Sequence, residues 1–289
     1  MLTEAYDVVD GKRVRMARLG SGPPLVLLHG YPDTLQIWSA LAPLLAARFD
    51  VIAFDWPGIG GSEAWSGGAT PFDLARRIVR LLDHWQLTRA TVAGHDMGGQ
   101  AALALAATDP ARVERIIVMN SLVMPSDRTS WEIDLLRRFR INSLLLRHFP
   151  RLVFHRALST SVSELPAEVR AELWRHFQRR GARDFIVRMC AGYEGTLPKL
   201  ETLYGQIRTP LQIVWGERDR HFPLAQGQRL HERIPGSTLD VIPGAGHWMV
   251  WDRVAEVAEA IINDQPIDGA FRPTAPAANP PGNWRRRDS

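Results

Sequence analysis

Three residues of this chain could together carry out nucleophilic hydrolysis: Asp96, Asp219 and His247. Asp96 lies in Gly94-His95-Asp96-Met97-Gly98, between an apolar run and an alanine-rich segment. Small residues on both sides of one reactive residue are typical of a sharp strand-to-helix turn, which presents the residue at its tip beside the positive end of the helix. We expect glycine to be required at positions 94 and 98, because a Cβ there would collide with the neighbouring strand and helix. A simpler interpretation is that Asp96 is the N-cap of that helix.

Asp219 and His247 each follow an apolar run that is typical of a buried strand. The acid comes after Leu211–Trp215, and the histidine comes after Thr238–Ile242. The order nucleophile, acid, histidine, with each residue on a loop after a strand, predicts that all three meet at the carboxyl edge of one parallel sheet.

A carboxylate with a pKa near 4 is ionised at neutral pH and needs no base before it attacks. Its natural target is an sp³ carbon that carries a leaving group, since attack on an ester carbonyl would give an anhydride. Displacement would leave an alkyl ester on Asp96. His247, oriented by Asp219, would then activate the water that hydrolyses this ester.

Apolar runs and helical patterns alternate along most of the chain, which predicts an α/β sheet. The predicted strands are Pro24–Leu28, Val51–Phe54, Ala90–Ala93, Val113–Met119, Leu211–Trp215 and Thr238–Ile242. The predicted core helices are Leu35–Ala47, Pro71–Trp85 and Val254–Ile262, with an alanine-rich helix before Asp109. Between about Val123 and Tyr204 the strand patterns disappear and helical spacing replaces them, for example over Trp131–Leu146 and Ala167–Arg180. The pattern therefore predicts one parallel sheet interrupted by a helical insertion.

The chain resembles the α/β-hydrolase family, and within it the aspartate-nucleophile branch of epoxide hydrolases and dehalogenases. The resemblance extends from Asp10 to about Gln265. It is carried by His29-Gly30-Tyr31-Pro32, Asp55-Trp56-Pro57-Gly58-Ile59-Gly60-Gly61-Ser62, Gly94-His95-Asp96-Met97-Gly98-Gly99, Asp219 and Gly246-His247. The resemblance implies an α/β fold with a mostly parallel central sheet, helices on both faces and a helical cap inserted after the sixth strand.

Domain boundaries follow from the same resemblance. Residues 1–121 and 206–265 would form the two parts of the hydrolase core, and residues 122–205 would form the cap over the active site. Residues 266–289 are rich in Pro, Ala and Gly and end in an Arg cluster, which predicts a disordered tail.

The resemblance also implies an oxyanion hole. The backbone N–H groups of Tyr31 and Met97 would hold the oxyanion that forms on the carbonyl of Asp96. His29, Gly30 and Pro32 would shape the loop that carries Tyr31, with a cis peptide bond before the proline. His95 would be a structural part of the turn around the nucleophile.

The leaving group separates the members of this branch. An opening epoxide forms an alkoxide that requires a proton donor, and similar epoxide hydrolases supply tyrosines from the cap. Tyr193 is the candidate donor; the sequence offers no second cap tyrosine, although His148 or His155 could replace one. Haloalkane dehalogenases carry Trp directly after the nucleophile, where this chain has Met97, and commonly Asn where it has Tyr31. An adjacent His-Trp pair, which fluoroacetate-type dehalogenases use, is absent between residues 122 and 205.

Epoxide hydrolysis is therefore the first functional hypothesis. The alternatives are a dehalogenase of the same branch and a ligand-binding or isomerase-like protein that keeps the fold without hydrolytic turnover.

Composition restricts the partners. The 289 residues are 45% hydrophobic and 23% charged, as in an ordinary globular protein. A single cysteine, Cys190, excludes an intramolecular disulfide or a Cys-rich zinc site. The acidic start lacks the features of a signal peptide, and no apolar run reaches the ~20 residues of a membrane span. We therefore expect a cytoplasmic enzyme with no cofactor, metal, nucleic acid or membrane partner.

The substrate expected is a small apolar or amphipathic molecule, and a homodimer is left open. The net charge of +4 arises in the helical insertion, where Leu122–Gly205 holds 14 Arg or Lys and nine Asp or Glu. A solvated helical face explains this excess better than an anion site does.

Overall fold

A nine-stranded sheet forms the centre of the protein in the computed structural model, which describes residues 1–159, 165–263 and 285–286. Its strands are β1 (Ala5–Val9), β2 (Lys12–Leu19), β3 (Pro24–Leu28), β4 (Asp50–Phe54), β5 (Ala90–His95), β6 (Val113–Met119), β7 (Leu211–Gly216), β8 (Thr238–Ile242) and β9 (Arg285–Arg286). The spatial order is β1-β2-β4-β3-β5-β6-β7-β8-β9. Among these described strands, β2 pairs antiparallel with both β1 and β4, and every other pairing is parallel. The prediction of an α/β fold with a mostly parallel sheet is confirmed.

The predicted strands agree closely with the structure. β3, β6 and β8 have the predicted bounds, and the other three predicted strands are longer by one or two residues. Four central strands, β3, β5, β6 and β7, are buried along nearly their whole length, which explains why their sequences are mostly apolar.

Helices flank the sheet and form the insertion. They are α1 (Ala42–Leu45), α2 (Pro71–His84), α3 (Met97–Thr108), α4 (Trp131–Arg137), α5 (Phe139–His148), α6 (Pro150–Leu158), α7 (Ala167–Phe177), α8 (Arg180–Leu203), α9 (Leu224–Arg233), α10 (Met249–Asp252) and α11 (Val254–Asn263). The insertion, α4 to α8, follows β6, the sixth strand, and ends before β7. Within the described residues, no helix has both the length and the apolar character needed to span a membrane.

The predicted helix over Leu35–Ala47 is wrong. The structure has a 3₁₀ helix at Leu35–Trp38 and the four-residue α1 instead. Pro43 lacks the N–H group that a continuous helix would donate to residue 39, so the helix is interrupted between Trp38 and Ala42 and Pro43 lies in the first turn of α1. The carboxylate of Asp55 also accepts a hydrogen bond from the backbone N–H of Leu35 at 2.6 Å, which holds this segment by a tertiary contact.

The long helical predictions in the insertion are divided in the structure. Trp131–Leu146 becomes α4 and α5, separated at Arg138, whose backbone is extended. Ala167–Arg180 becomes α7, which ends at Phe177, followed by α8. By contrast, α2 begins as predicted, because Thr70 and Asp73 form a reciprocal capping box before Pro71.

A buried ion cluster joins the helical insertion to the core. The Arg15 guanidinium lies 2.9 Å from the carboxylate of Asp55 and 2.7 Å from that of Glu172 on α7. The second oxygen of Glu172 accepts a hydrogen bond from the hydroxyl of Thr34 at 2.8 Å. This cluster therefore fixes α7 against the loop that follows β3.

The predicted disordered tail falls mostly outside the described residues. Only 285–286 are described there, and they pair with β8 as β9.

Candidate active site

Asp96 lies on a sharp turn between β5 and α3. Its backbone has φ 51° and ψ −120°, a conformation that is strained for a residue with a side chain. A Cβ on Gly94 would come within 2.2 Å of the Gly98 backbone, and one on Gly98 would come within 2.2 Å of the Leu28 carbonyl oxygen. The predicted need for glycine at both positions is confirmed. A Cβ on Gly30 would lie 2.5 Å from the Asp96 Cβ, so the loop after β3 also requires glycine to approach Asp96.

The carboxylate of Asp96 does not cap α3. Asp96 occupies the N-cap position, but its side chain makes no capping hydrogen bond. Instead its Oδ2 accepts a hydrogen bond from the backbone N–H of Tyr31 at 2.9 Å, and the carboxylate also accepts one from the backbone N–H of Met97. The structure thus brings the two predicted oxyanion-hole donors to the carboxylate of Asp96. The Tyr31–Pro32 peptide bond is cis.

Burial changes the ionisation of Asp96. Desolvation raises the pKa of its carboxyl group to about 7, although the two backbone N–H groups lower it. The ordinary pKa near 4 that the residue type predicts does not include this desolvation. The carboxylate is therefore less hydrated, and only partly ionised, at neutral pH.

Asp219 and His247 form a hydrogen-bonded pair on the loops after β7 and β8. The imidazole Nδ1 lies 2.9 Å from Oδ2 of Asp219, and both side chains are buried. The other oxygen, Oδ1, accepts backbone N–H hydrogen bonds from His221 at 2.7 Å and Phe222 at 3.0 Å. Burial lowers the pKa of His247 to about 3 and raises that of Asp219 to about 6. A neutral imidazole with its Nδ1 engaged leaves Nε2 free to accept a proton.

Two buried side chains hold the backbone of the histidine loop. The imidazole Nε2 of His95 lies 2.9 Å from the carbonyl oxygen of His247. The amide of Asn120, directly after β6, donates to the carbonyl oxygens of Gly246 and His247, at 2.9 Å each. Its oxygen accepts a hydrogen bond from the Gly216 N–H at 2.8 Å. Asn120 is a site residue that was not predicted from the sequence. Its position directly after a predicted strand, at the carboxyl edge of the sheet, could have indicated it.

His29 has a structural role in the first loop. Its Nδ1 lies 2.8 Å from the carbonyl oxygen of Gly30, and the backbone N–H of Trp56 points to its Nε2 at 3.3 Å. The indole N–H of Trp56 donates to the His29 carbonyl oxygen at 2.9 Å. These contacts link the loop that carries Tyr31 to the end of β4.

A cavity of about 240 Å³, termed here the inner cavity, lies against the nucleophile. Asp96, His247 and Tyr31 line it on the core side, and mostly apolar side chains of α4, α5 and α6 line it on the other. Trp131 is one of these side chains; it is 62% exposed and reaches the cavity from α4.

Tyr193 lies on α8 and is buried, although it is not among the residues that line the inner cavity. The side chain of Gln100, on the first turn of α3, forms a hydrogen bond with its hydroxyl group. Desolvation raises the pKa of Tyr193 well above its ordinary value, so the phenol stays protonated. Tyr31 offers a second phenol: its hydroxyl is buried and has no hydrogen-bond partner within the described part of the chain.

A second, polar cavity of about 540 Å³, termed here the outer cavity, lies beside the inner one. The two share Trp131, Glu132, Arg156 and His221 as lining residues. Among the described residues, no cluster of three or more His, Cys, Asp or Glu side chains is arranged to hold a metal ion.

Comparison with known proteins agrees with this geometry. A family model described as alpha/beta hydrolase fold matches residues 23–254. The chain belongs to the α/β-hydrolase family. It is accordingly an enzyme of the α/β-hydrolase kind, with its candidate nucleophile, acid and histidine in the family's order along the chain.

Two curated relatives of this α/β-hydrolase are 2-hydroxy-6-oxononadienedioate/2-hydroxy-6-oxononatrienedioate hydrolases. The one from Pseudomonas putida is 30% identical over 81% of this chain and 85% of its own length. The one from Klebsiella pneumoniae is 27% identical over 87% and 90%.

Solved structures show the same fold. An alpha/beta hydrolase fold protein from Burkholderia ambifaria superposes with a TM-score of 0.77 at 27% identity, covering 90% of this chain and 97% of that one. A thermophilic esterase from Thermogutta terrifontis superposes with a TM-score of 0.75 at 23% identity, again covering 90% and 97%.

Proposed function

We propose that this α/β-hydrolase opens epoxides through a covalent alkyl ester on Asp96. The observation that carries the proposal is a carboxylate at the nucleophile position, held by two backbone N–H donors and facing an apolar cavity. A carboxylate is suited to displacement at an sp³ carbon, and a strained epoxide ring supplies both that carbon and a leaving oxygen that stays on the product.

In the first step, one carboxylate oxygen of Asp96 forms a bond to an epoxide carbon while the ring C–O bond breaks. The ring oxygen leaves as an alkoxide and takes a proton from a phenol. Tyr193 is the proposed donor, since it is buried on α8 and burial raises the pKa of its phenol, which therefore carries a proton to give. This step requires the Tyr193 side chain to reach the inner cavity from the adjoining layer of α8.

In the second step, Nε2 of His247 removes a proton from a water molecule, and the hydroxide attacks the carbonyl carbon of the Asp96 ester. Asp219 stabilises the imidazolium through its hydrogen bond to Nδ1. The N–H groups of Tyr31 and Met97 hold the oxyanion of the tetrahedral intermediate. Collapse of this intermediate breaks the acyl C–O bond, and the His247 imidazolium gives its proton to the leaving alkoxide, which completes the diol. The proton of the regenerated Asp96 carboxyl group passes through solvent to the phenolate left by the first step, which restores both groups.

This sequence of bonds predicts where oxygen from water goes. Because water attacks the acyl carbon, a single turnover with excess enzyme in ¹⁸O-labelled water would place the label in the Asp96 carboxylate. The diol would carry an unlabelled oxygen from Asp96. Mass spectrometry of the Asp96 peptide and of the product measures both. Label found directly in the diol and not in the peptide would exclude the covalent ester.

Trapping identifies the leaving group. His247→Gln should form the ester but hydrolyse it slowly, so an adduct accumulates on the Asp96 peptide. Epoxide and alkyl halide panels then distinguish the hydrolase proposed here from a dehalogenase. Asp96→Asn is the matched control, because it removes the nucleophile at nearly constant volume. Tight ligand binding without an adduct from either panel would favour a protein that has lost hydrolytic turnover.

A further inference from the structure

The outer cavity differs sharply in chemistry from the inner one. Apart from the nucleophile and the histidines, the inner cavity is lined mainly by leucine, isoleucine, valine and aromatic side chains. The outer cavity is lined by arginine, hydroxyl and acidic side chains. The two cavities adjoin at their four shared lining residues, so one molecule that occupies both would be apolar at one end and polar at the other.

The wall between the cavities is built from an ion pair and two rings. Arg156 on α6 and Glu132 on α4 lie 2.5 Å apart, and the guanidinium of Arg156 lies 5.4 Å from the ring centroid of Trp131. His221 completes the wall. Its ring is 5.0 Å from that of His247, centroid to centroid, so the outer cavity begins one side chain away from the candidate catalytic imidazole.

The charged side chains of the outer cavity have a small positive excess. Three arginines, Arg128, Arg156 and Arg220, line it against two carboxylates. Glu132 is paired with Arg156, whereas Asp134 accepts a hydrogen bond from the neutral hydroxyl of Thr129. Arg128 and Arg220 also line the cavity, and within the described residues neither forms an ion pair with a carboxylate. Burial lowers the pKa of His221 to about 4, so it is neutral at pH 7 and does not add to this charge.

We propose that the outer cavity binds the anionic end of an amphipathic substrate, such as a carboxylate, through Arg128 and Arg220. The apolar part of that substrate would lie in the inner cavity with its reacting carbon at Asp96. The guanidinium fork of arginine matches a carboxylate in shape and charge. The second half of this inference rests on the proposed function, whereas the anion site itself does not.

A matched pair of substrates tests the anion site: a medium-chain carboxylic acid with a terminal epoxide, and its methyl ester. In the double variant Arg128→Gln/Arg220→Gln, we expect the KM for the acid to rise about tenfold, equivalent to about 1.4 kcal/mol. The KM for the ester and both kcat values should stay unchanged. Arg170→Gln is the control, because Arg170 is exposed on α7 and lines neither cavity. An equal change for acid and ester, or no change for either, would overturn the inference.

A binding measurement separates this inference from the proposed function. If the wild type turns over neither epoxide, the proposed function fails, and the anion site is then tested with the saturated medium-chain acid alone. Trp131 and Trp248 line the inner cavity, so ligand binding should alter tryptophan fluorescence. We expect the acid to bind the wild type and the Arg170→Gln variant about tenfold more tightly than the double variant. Equal affinity in all three proteins would refute the anion site.

Discussion

Glu172→Gln tests whether the buried ion cluster holds the helical insertion against the core. The substitution keeps the shape of the side chain and removes its charge. Glu172 lies within the cluster of Arg15 and Asp55, and its Oε1 is 3.2 Å from Nε2 of His176, one turn further along α7. Its loss would leave the guanidinium of Arg15 with one fewer carboxylate in a site that water does not reach.

The magnitude follows from the ionisation of Glu172. Burial alone would raise the pKa of this carboxyl, but the nearby imidazole of His176, the charge of Arg15 and the hydrogen bond from Thr34 outweigh it and lower the pKa from 4.5 to about 2. That difference corresponds to roughly 3 kcal/mol in favour of the folded state. For a chain of this size, such a loss should reduce Tm by about 6 °C.

The direction of the pKa shift determines how the stabilisation by Glu172 depends on pH. A carboxyl whose pKa is depressed by folding contributes its full stability above its unfolded value near 4.5 and loses it as the pH falls toward 2. Urea unfolding followed by circular dichroism should therefore show the full gap between wild type and Glu172→Gln at pH 7 and a smaller gap near pH 3.

Glu168→Gln is the control, because Glu168 is exposed on the first turn of the same helix. We expect it to change the free energy of unfolding by less than about 0.5 kcal/mol. If Glu172→Gln changes the free energy of unfolding as little as the control does, the cluster does not hold the insertion. The same conclusion follows if the difference in this free energy between wild type and variant does not depend on pH.

Three further predictions concern the chemistry. Attack requires an ionised carboxylate, and burial raises the pKa of Asp96 to about 7. The rate of ester formation in His247→Gln should therefore fall about tenfold per pH unit below pH 7 and level off above it. Rapid-quench mass spectrometry measures this rate, and a flat profile from pH 5 to 8 would contradict the prediction. Asn120→Ala should slow hydrolysis of the ester by roughly tenfold to a hundredfold, since the histidine loop loses its support, and should leave ester formation nearly unchanged in the same assay. Tyr193→Phe should slow alkylation by an epoxide about a hundredfold and leave alkylation by an alkyl halide unchanged, since a departing halide needs no proton. If the loss appears in Tyr31→Phe instead, the unpartnered hydroxyl of Tyr31 is the donor.

The sequence predicts the sheet well because local and tertiary preferences agree there. β3 and β6 are buried at all but one position each, so nearly every residue of these strands faces other protein atoms and the apolar residues mark the strand. The segment Leu35–Ala47 shows the opposite case. Its apolar residues are buried with helical spacing, but a proline and a hydrogen bond to Asp55 prevent a continuous helix.

The parts of the site whose geometry is set by local motif residues could be predicted from the sequence. The parts whose geometry depends on tertiary packing could not. The turn around Asp96 follows from glycines whose absent Cβ atoms create the space that the turn needs. Trp131 reaches the inner cavity from the first residue of α4, and no local signal distinguishes it from a core aromatic. The shifted pKa of Asp96 arises from enclosure by the helical insertion, and a local motif does not encode this.

The nucleophile has to satisfy two opposing requirements, and the geometry of this site explains how both are met. A carboxylate that is stripped of water attacks carbon more readily, but full desolvation would leave it protonated and inert at neutral pH. The N–H groups of Tyr31 and Met97 lower the pKa of Asp96 against this burial. They point at the carboxylate before reaction and are already in place for the oxyanion of the second step, so no dipole has to reorient between the two steps. With a carboxylate nucleophile, the same two N–H donors therefore act in both steps. Shifting the loop that carries Tyr31 should impair ester formation and ester hydrolysis together.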